Sequence, residues 1–286
     1  MPMIVEGAMF ADTYEKASHF TFPVIIAIRH FDGTTQGLIA TFVILNRDGW
    51  FVTAKHILSI LAASQQHEKE IAIYNEKIEA IRKNDKLKPI IKQKSIKQVP
   101  SNPKWITKVT YFWSTGGRIT DIYLEPNADL AIARFENYSE EKGGIYPILK
   151  GPFGFRHGTS LCTIGYPFYN IEPPIYREET DTFDFKEGTF PIPRFPVPGI
   201  LTRLVQDPDR KISLIETSHP GLRGQSGGPI LDTKGRIWGI QSETKHLDLG
   251  FTTTERQYLH VGWGTHVEVL IAMLQKYNIE VAISED

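Results

Sequence analysis

Short apolar runs broken by Gly, Pro and Asn recur along this chain, and none approaches the roughly 20 residues of a transmembrane helix. Such spacing predicts β-barrels rather than a helical bundle. After an N-terminal extension (1–19), Phe22-Pro23-Val24-Ile25-Ile26-Ala27-Ile28 opens a first lobe that extends to about residue 137. Within it, Phe42-Val43-Ile44-Leu45 and Trp50-Phe51-Val52 flank the turn Asn46-Arg47-Asp48-Gly49 and read as a hairpin. A connector, 138–154, is polar and then Gly/Pro-rich. A second lobe spans 155–265, from Thr159-Ser160-Leu161-Cys162-Thr163-Ile164 to Leu259-His260-Val261-Gly262-Trp263. The tail, 266–286, carries Val267, Leu270, Ile271 and Leu274 at the spacing of a packed helix face.

Two stretches break the barrel pattern. Residues 64–97 are polar, with Arg82, Lys83, Lys86, Lys88, Lys92, Lys94 and Lys97 in one basic run. Ile71, Tyr74, Ile78 and Ile81 fit a helix face, although Glu70 to Tyr74 fits a strand equally well. The plain reading is a solvated loop or helix; the sharper one is a dock for an acidic partner or nucleic acid. With no aromatic residue between Tyr74 and Trp105, bases have no stacking platform, which disfavours nucleic acid. The second stretch, 172–198, holds six prolines with Phe183, Phe185, Phe190 and Phe195, a composition that excludes a regular central strand. It either shapes the substrate groove, gates it, meets a partner, or is a packed irregular connection.

Length and composition (286 residues, 41% hydrophobic) suffice for one two-lobed unit or two small domains. A net charge of -1 gives no general attraction to nucleic acid or to a membrane surface. Cys162 has no second cysteine to pair with, and residues 1–22 show no apolar signal core, so a cytoplasmic setting is expected. His157, His246, His260 and His266 lack paired metal-ligand spacing; neither a metal nor a cofactor is expected.

The chemistry centres on Gly224-Gln225-Ser226-Gly227-Gly228-Pro229. Glycines beside a serine let successive peptide N–H groups converge on one point, as an oxyanion hole requires. A serine becomes nucleophilic only when a base takes its proton and an acid orients that base. His56 follows the second hairpin strand at the start of a short helical pattern. Asp129 stands at the mouth of the alternating strand Leu130-Ala131-Ile132-Ala133-Arg134.

Thr53-Ala54-Lys55-His56, Asp129-Leu130-Ala131-Ile132 and Gly224-Gln225-Ser226-Gly227-Gly228-Pro229 together resemble the signatures of the chymotrypsin/trypsin-like serine peptidases, in that family's order. The hairpin and Gly165-Tyr166-Pro167 are most similar to the bacterial high-temperature-requirement branch, without room for its peptide-binding domain. The resemblance covers about 20–275 and implies an all-β fold of two six-stranded Greek-key barrels with a C-terminal helix. It implies an intracellular serine endopeptidase acting on a protein or peptide substrate through an acyl-enzyme. His56 would be the base, Asp129 its orienting acid and Ser226 the nucleophile, with Gly224 and Ser226 N–H groups as the oxyanion hole. The alternative is a catalytically silent or partner-activated module, with a regulatory protein as partner. Ile4-Val5-Glu6-Gly7 resembles an activating trypsin N-terminus, but Gln225 carries no charge to receive its ammonium.

By the same resemblance, Pro220, Gly221 and Arg223 face Ser242, Glu243, Thr244 and Gly262 across the pocket for the residue before the scissile bond. No acid stands at Pro220, so a small or apolar residue is expected there. Glu243 turned inward would favour basic residues instead, and Arg223 with His219 acidic ones.

Overall fold

The computed structural model describes residues 9–139, 144–168, 171–187, 189–207, 212–248 and 258–285, so Ile4 to Gly7 lies outside the described residues. The first lobe contains α1 (Ala11–Ala17), β1 (Thr21–His30), β2 (Thr35–Ile44), β3 (Trp50–Thr53), α2 (Lys55–Arg82), α3 (Pro89–Lys97), β4 (Ile106–Trp113), β5 (Ile119–Leu124) and β6 (Ala131–Phe135). The second contains β7 (Ile148–Leu149), β8 (Ser160–Gly165), β9 (Ile175–Arg177), β10 (Thr182–Asp184), β11 (Phe195–Asp207), β12 (Ile212–Thr217), β13 (Pro229–Asp232), β14 (Arg236–Asp248), β15 (Tyr258–His266), α4 (Val267–Lys276) and β16 (Ala282–Ile283).

The first sheet runs β4-β1-β2-β3-β6-β5 and the second β13-β8-β11-β12-β15-β14, with β13 also pairing β14 to close it. Counting only the six principal strands of each sheet in chain order, both follow one scheme: fourth, first, second, third, sixth and fifth. The 4-1-2-3 part is a Greek key. A topological repeat therefore underlies a sequence without visible repetition. The short strands β7 and β16 extend the second sheet in parallel. The fold is mostly β, with barrel-like sheets and a C-terminal helix.

Packing follows the alternation. Phe42, Phe51 and Phe135 stack with Trp113 inside the first sheet, with centroids 4.6–5.7 Å apart. One apolar cluster runs from Val43, Val52 and Ile132 through Cys162, Ile164 and Leu231 to Leu270 and Leu274 of α4, joining both sheets to the helix. Inside it, burial pushes the Cys162 thiol up to about 12, leaving it a packing group.

Two expectations change. The short helical pattern at His56 and the first part of the insertion after it form one helix: α2 runs unbroken for 28 residues, and α3 follows at the end of the insertion. The strand alternative for Glu70 to Tyr74 is therefore replaced by helix. Its outer half is pinned where Tyr74 packs edge-on against Phe31 and Trp105. Trp105 Nε1–H also donates to Glu70, and the Ile106 N–H donates to His67 Nδ1. The prolines of 172–198 also prove compatible with a strand. Pro196 and Pro198 lie in β11, but among the described residues that stretch pairs only with β8, and β12 joins from Leu201 onward. The missing N–H groups thus fall where β11 still has a free flank.

Candidate active site

Thr53 ends β3, and Ala54 holds an extended backbone (φ -70°, ψ 140°) before the chain turns into α2 at Lys55. His56 therefore sits in the first helical turn, where N–H groups have no intrahelical acceptor. Asp129, in the turn before β6, supplies one. Its Oδ1 accepts the His56 N–H at 2.8 Å, while its Oδ2 lies 2.8 Å from Nδ1 of the same residue. One carboxylate thus caps the helix and aims the ring. Lys55 reinforces the arrangement by donating from Nζ to the carbonyls of Glu125 (2.7 Å) and Pro126 (3.1 Å).

Burial alone would raise the Asp129 pKa. The His56 ring, the Ser242 hydroxyl and the His56 N–H together outweigh it and hold the carboxyl at about 2. An ionised carboxylate only accepts, so the facing imidazole nitrogen Nδ1 bears hydrogen and Nε2 keeps the basic lone pair. The ring edge remains open, with the side chain 49% exposed.

Ser226 lies between β12 and β13 on a loop locked from three directions. Thr41 N–H donates to the Ser226 carbonyl (2.9 Å), Gly227 N–H to Gln241 O (2.8 Å), and Gly228 N–H to Gln225 O (2.8 Å). The Gly224 carbonyl accepts from the Thr41 hydroxyl (2.6 Å) and from Tyr166 N–H (3.2 Å). Gly224 and Gly227 have φ of +91° and +85°, and a Cβ on either would stand 2.1–2.2 Å from a neighbouring carbonyl oxygen. Only glycine fits both. Among the described residues, the N–H groups of Gly224 and Ser226 have no acceptor within the protein. The Ser226 hydroxyl rests 3.4 Å from the Ser242 carbonyl.

Gln225 is fully buried, and its Oε1 accepts the Leu222 N–H at 2.9 Å. It holds its own loop instead of offering a charge.

A hollow of about 150 Å³ opens beside Ser226, between Gly221-Leu222-Arg223 on one wall and Gln241-Ser242-Glu243-Thr244 on the other. The Thr244 hydroxyl donates to the Gly221 carbonyl and ties the walls together. Five of the residues assigned to this pocket from sequence thus line it: Gly221, Arg223, Ser242, Glu243 and Thr244. Pro220 and Gly262 do not. Pro220 O faces the His219 ring, and Gly262 pairs with Thr217 and Thr244 behind the wall. Glu243 is engaged with Lys245 at 3.4 Å. His219 is buried between Thr163 Oγ1 and Pro220 O, each 3.1 Å away, and burial lowers its pKa, so it brings no positive charge to the mouth. Arg223, exposed, brings one.

Leu222 and Gln241 also line the hollow without having been assigned to it from sequence, and Gln241 is the polar one. It is buried, with Nε2 donating to the carbonyls of Glu243 (3.1 Å) and Trp263 (3.2 Å). A polar residue directly after Trp238-Gly239-Ile240, and directly before the assigned wall, was the available signal.

Residues 40–240 match the model of the trypsin-like peptidase domain. No curated protein matches the chain. Among solved structures, the fold is similar to an HtrA-type protease, AlgW, in a serine-to-alanine form with decapeptide. The TM-score is 0.51 at 14% identity, covering 93% of this chain and 66% of that one. The same serine-to-alanine protease with tripeptide gives 0.50 and 14%, covering 93% and 62%. This chain thus spans about two thirds of the length of those structures, and at that identity the likeness is one of fold. With a family model extending over more than half of its length, the chain belongs to the trypsin-like peptidase family.

Proposed function

We propose that this peptidase cuts internal peptide bonds through an acyl-enzyme, with Ser226 as nucleophile, His56 as general base and then acid, and Asp129 as the group that orients His56. The observation behind this reading is the pairing of His56 Nδ1 with Asp129 Oδ2 at 2.8 Å, while His56 and Ser226 line one hollow. His56 Nε2 takes the Ser226 proton as Oγ attacks the substrate carbonyl carbon. The resulting oxyanion is received by the unengaged N–H groups of Gly224 and Ser226. Collapse breaks the C–N bond, His56 gives its proton to the departing amine, and the acyl ester stays on Ser226. Water then attacks the ester with His56 again as base and releases the acid. The resting Ser226 hydroxyl turns from Ser242 O towards His56 in the first step, since such contacts tighten only in the substrate complex. A peptide in the groove and a reducing, cytoplasmic setting belong to the same proposal, the second resting on the buried, unpaired Cys162.

A fluorophosphonate probe tests the nucleophile. Labelling at Ser226 that disappears in Ser226→Ala and falls in His56→Ala is expected; equal labelling in all three proteins contradicts the assignment.

A partner-gated peptidase is the second reading, favoured by one observation. The helix bearing His56 continues for 28 residues to a basic tip, where α3 buries none of its residues. A regulatory protein seated on that tip would act on the helix that carries the base. Full-rate labelling of the purified chain alone counts against it.

A further inference from the structure

Two hollows flank Ser226, and they share only Ser226 and Arg223. One is the pocket of about 150 Å³ described above. The other holds about 340 Å³ and lies on the His56 side. In the proposed reaction His56 hands its proton to the departing amine, so the chain that leaves must lie against this second hollow. Five aliphatic side chains line it, Leu38 and Ile39 of β2, Ile57 and Ile60 of α2, and Ile171 at the entry to the Pro/Phe-rich insertion, with Gln36, His56 and Arg223 as its polar members beside Ser226.

The insertion is clamped so that Ile171 stays in that wall. Ile171 is buried, and its Cγ2 occupies the space directly over Gly37, 2.5 Å from where a Cβ would stand. It packs in one cluster with Ile25, Tyr166 and Ile192, which Phe112 and Phe185 cover. Farther along, the β9–β10 hairpin is tied across to the first sheet. Arg29 pairs with Glu178 at 2.7 Å and covers the Tyr176 ring at 4.5 Å, and Lys108 pairs with Asp181. The connection thus carries an element of the second lobe onto the first, beside the general base.

We propose that this hollow is a leaving-group subsite, completed by Ile171, that selects peptides with a branched aliphatic or aromatic residue within the first two positions after the scissile bond. The inference rests on the acyl-transfer reading above and adds the substrate class. An apolar side chain entering the hollow leaves water against five aliphatic side chains, which discriminates against glycine and, with Arg223 in the lining, against a cation.

The experiment uses the full chain and quenched fluorogenic peptides built on one sequence that it cuts. The two leaving-side positions are varied through Gly, Ala, Leu, Phe and Glu, beside a coumarin amide of the same acyl half, which has no leaving-side residue. At one of the two positions, Leu or Phe is expected to exceed Gly in kcat/KM by about tenfold or more. Ile60→Glu and Ile171→Ala should each bring that ratio within about threefold, with thermal melting checking that both variants fold. Ile60 is only partly buried, so its variant keeps the test open if Ile171→Ala does not fold. Flat preference at both positions, with the coumarin amide still cleaved, overturns the subsite and leaves the peptidase reading standing. No cleavage of any substrate, with no probe label on Ser226, overturns both.

Discussion

Ser242 donates its hydroxyl to Asp129 Oδ2 at 2.5 Å, onto the same oxygen that holds His56 Nδ1. The pocket wall and the proposed base are therefore joined through one carboxylate oxygen. Ser242→Ala removes a charge-assisted hydrogen bond and frees Asp129 to rotate. We expect kcat to fall about tenfold, equivalent to roughly 1.4 kcal/mol, with KM little changed. A fluorogenic peptide assay checks this, and an unaltered kcat contradicts it.

Asp129→Asn tests the imidazole tautomer. An amide offers Nδ1 either a donor or a neutral acceptor, so the ring loses the ionised partner that keeps Nε2 basic. A loss of about 10⁴-fold in kcat is expected, the scale of tautomer loss in triads of this kind. Melting should fall only modestly, by about 1 kcal/mol, since the first turn of α2 loses its anionic cap. Loss of fold without loss of per-molecule activity would contradict the assignment.

Gln225→Ala tests how the nucleophile loop is held. It strands the Leu222 N–H and empties a fully buried site, for a cost of about 2 kcal/mol or more. Loosening the loop beside Ser226 should lower kcat together with the melting temperature. Unchanged kinetics would mean that the loop is held by the glycine turns alone.

Stability should depend on pH through His266. Burial holds its pKa down to about 4, from 6.5 unfolded, while Nδ1 accepts the Glu268 N–H at 3.3 Å as the cap of α4. The unfolded chain binds the extra proton first, so stability is complete above about 6.5 and is lost as pH falls towards about 4, by on the order of 3 kcal/mol. His219, also lowered by burial, adds in the same direction. Asp129 adds its own loss below 3.8, towards about 2. Urea midpoints between pH 4 and 8 check this, and His266→Gln should flatten much of the slope. Equal midpoints at pH 4.5 and 7 would contradict it.

Some of this was legible in the residues alone. His56, Asp129 and Ser226 each sit beside a strand whose alternation is plain, and the glycines around Ser226 mark a backbone that other residues cannot adopt. The barrel pattern was legible because each strand buries one face in a local, period-2 rhythm. What stayed hidden depends on distance. Ile171 reads as an ordinary loop residue until Gly37, more than a hundred positions earlier, receives it. Gln241 looks like an interruption of a core strand until Gly221 and Glu243 come round it. The full length of α2 was masked because its outer half gains its contacts from Phe31 and Trp105, neither close in sequence. Strand order repeated between the lobes leaves no trace in residue identity, since many side chains satisfy one pleat.

The proposed chemistry turns on Ser226 being a nucleophile activated by His56, and timed labelling with a fluorophosphonate probe measures that directly. Stoichiometric label on Ser226, slowed about a thousandfold or more in His56→Ala and absent in Ser226→Ala, is the predicted result. Label that reaches Ser226 equally fast without His56, or that never reaches it while a peptide is still cut, would contradict it.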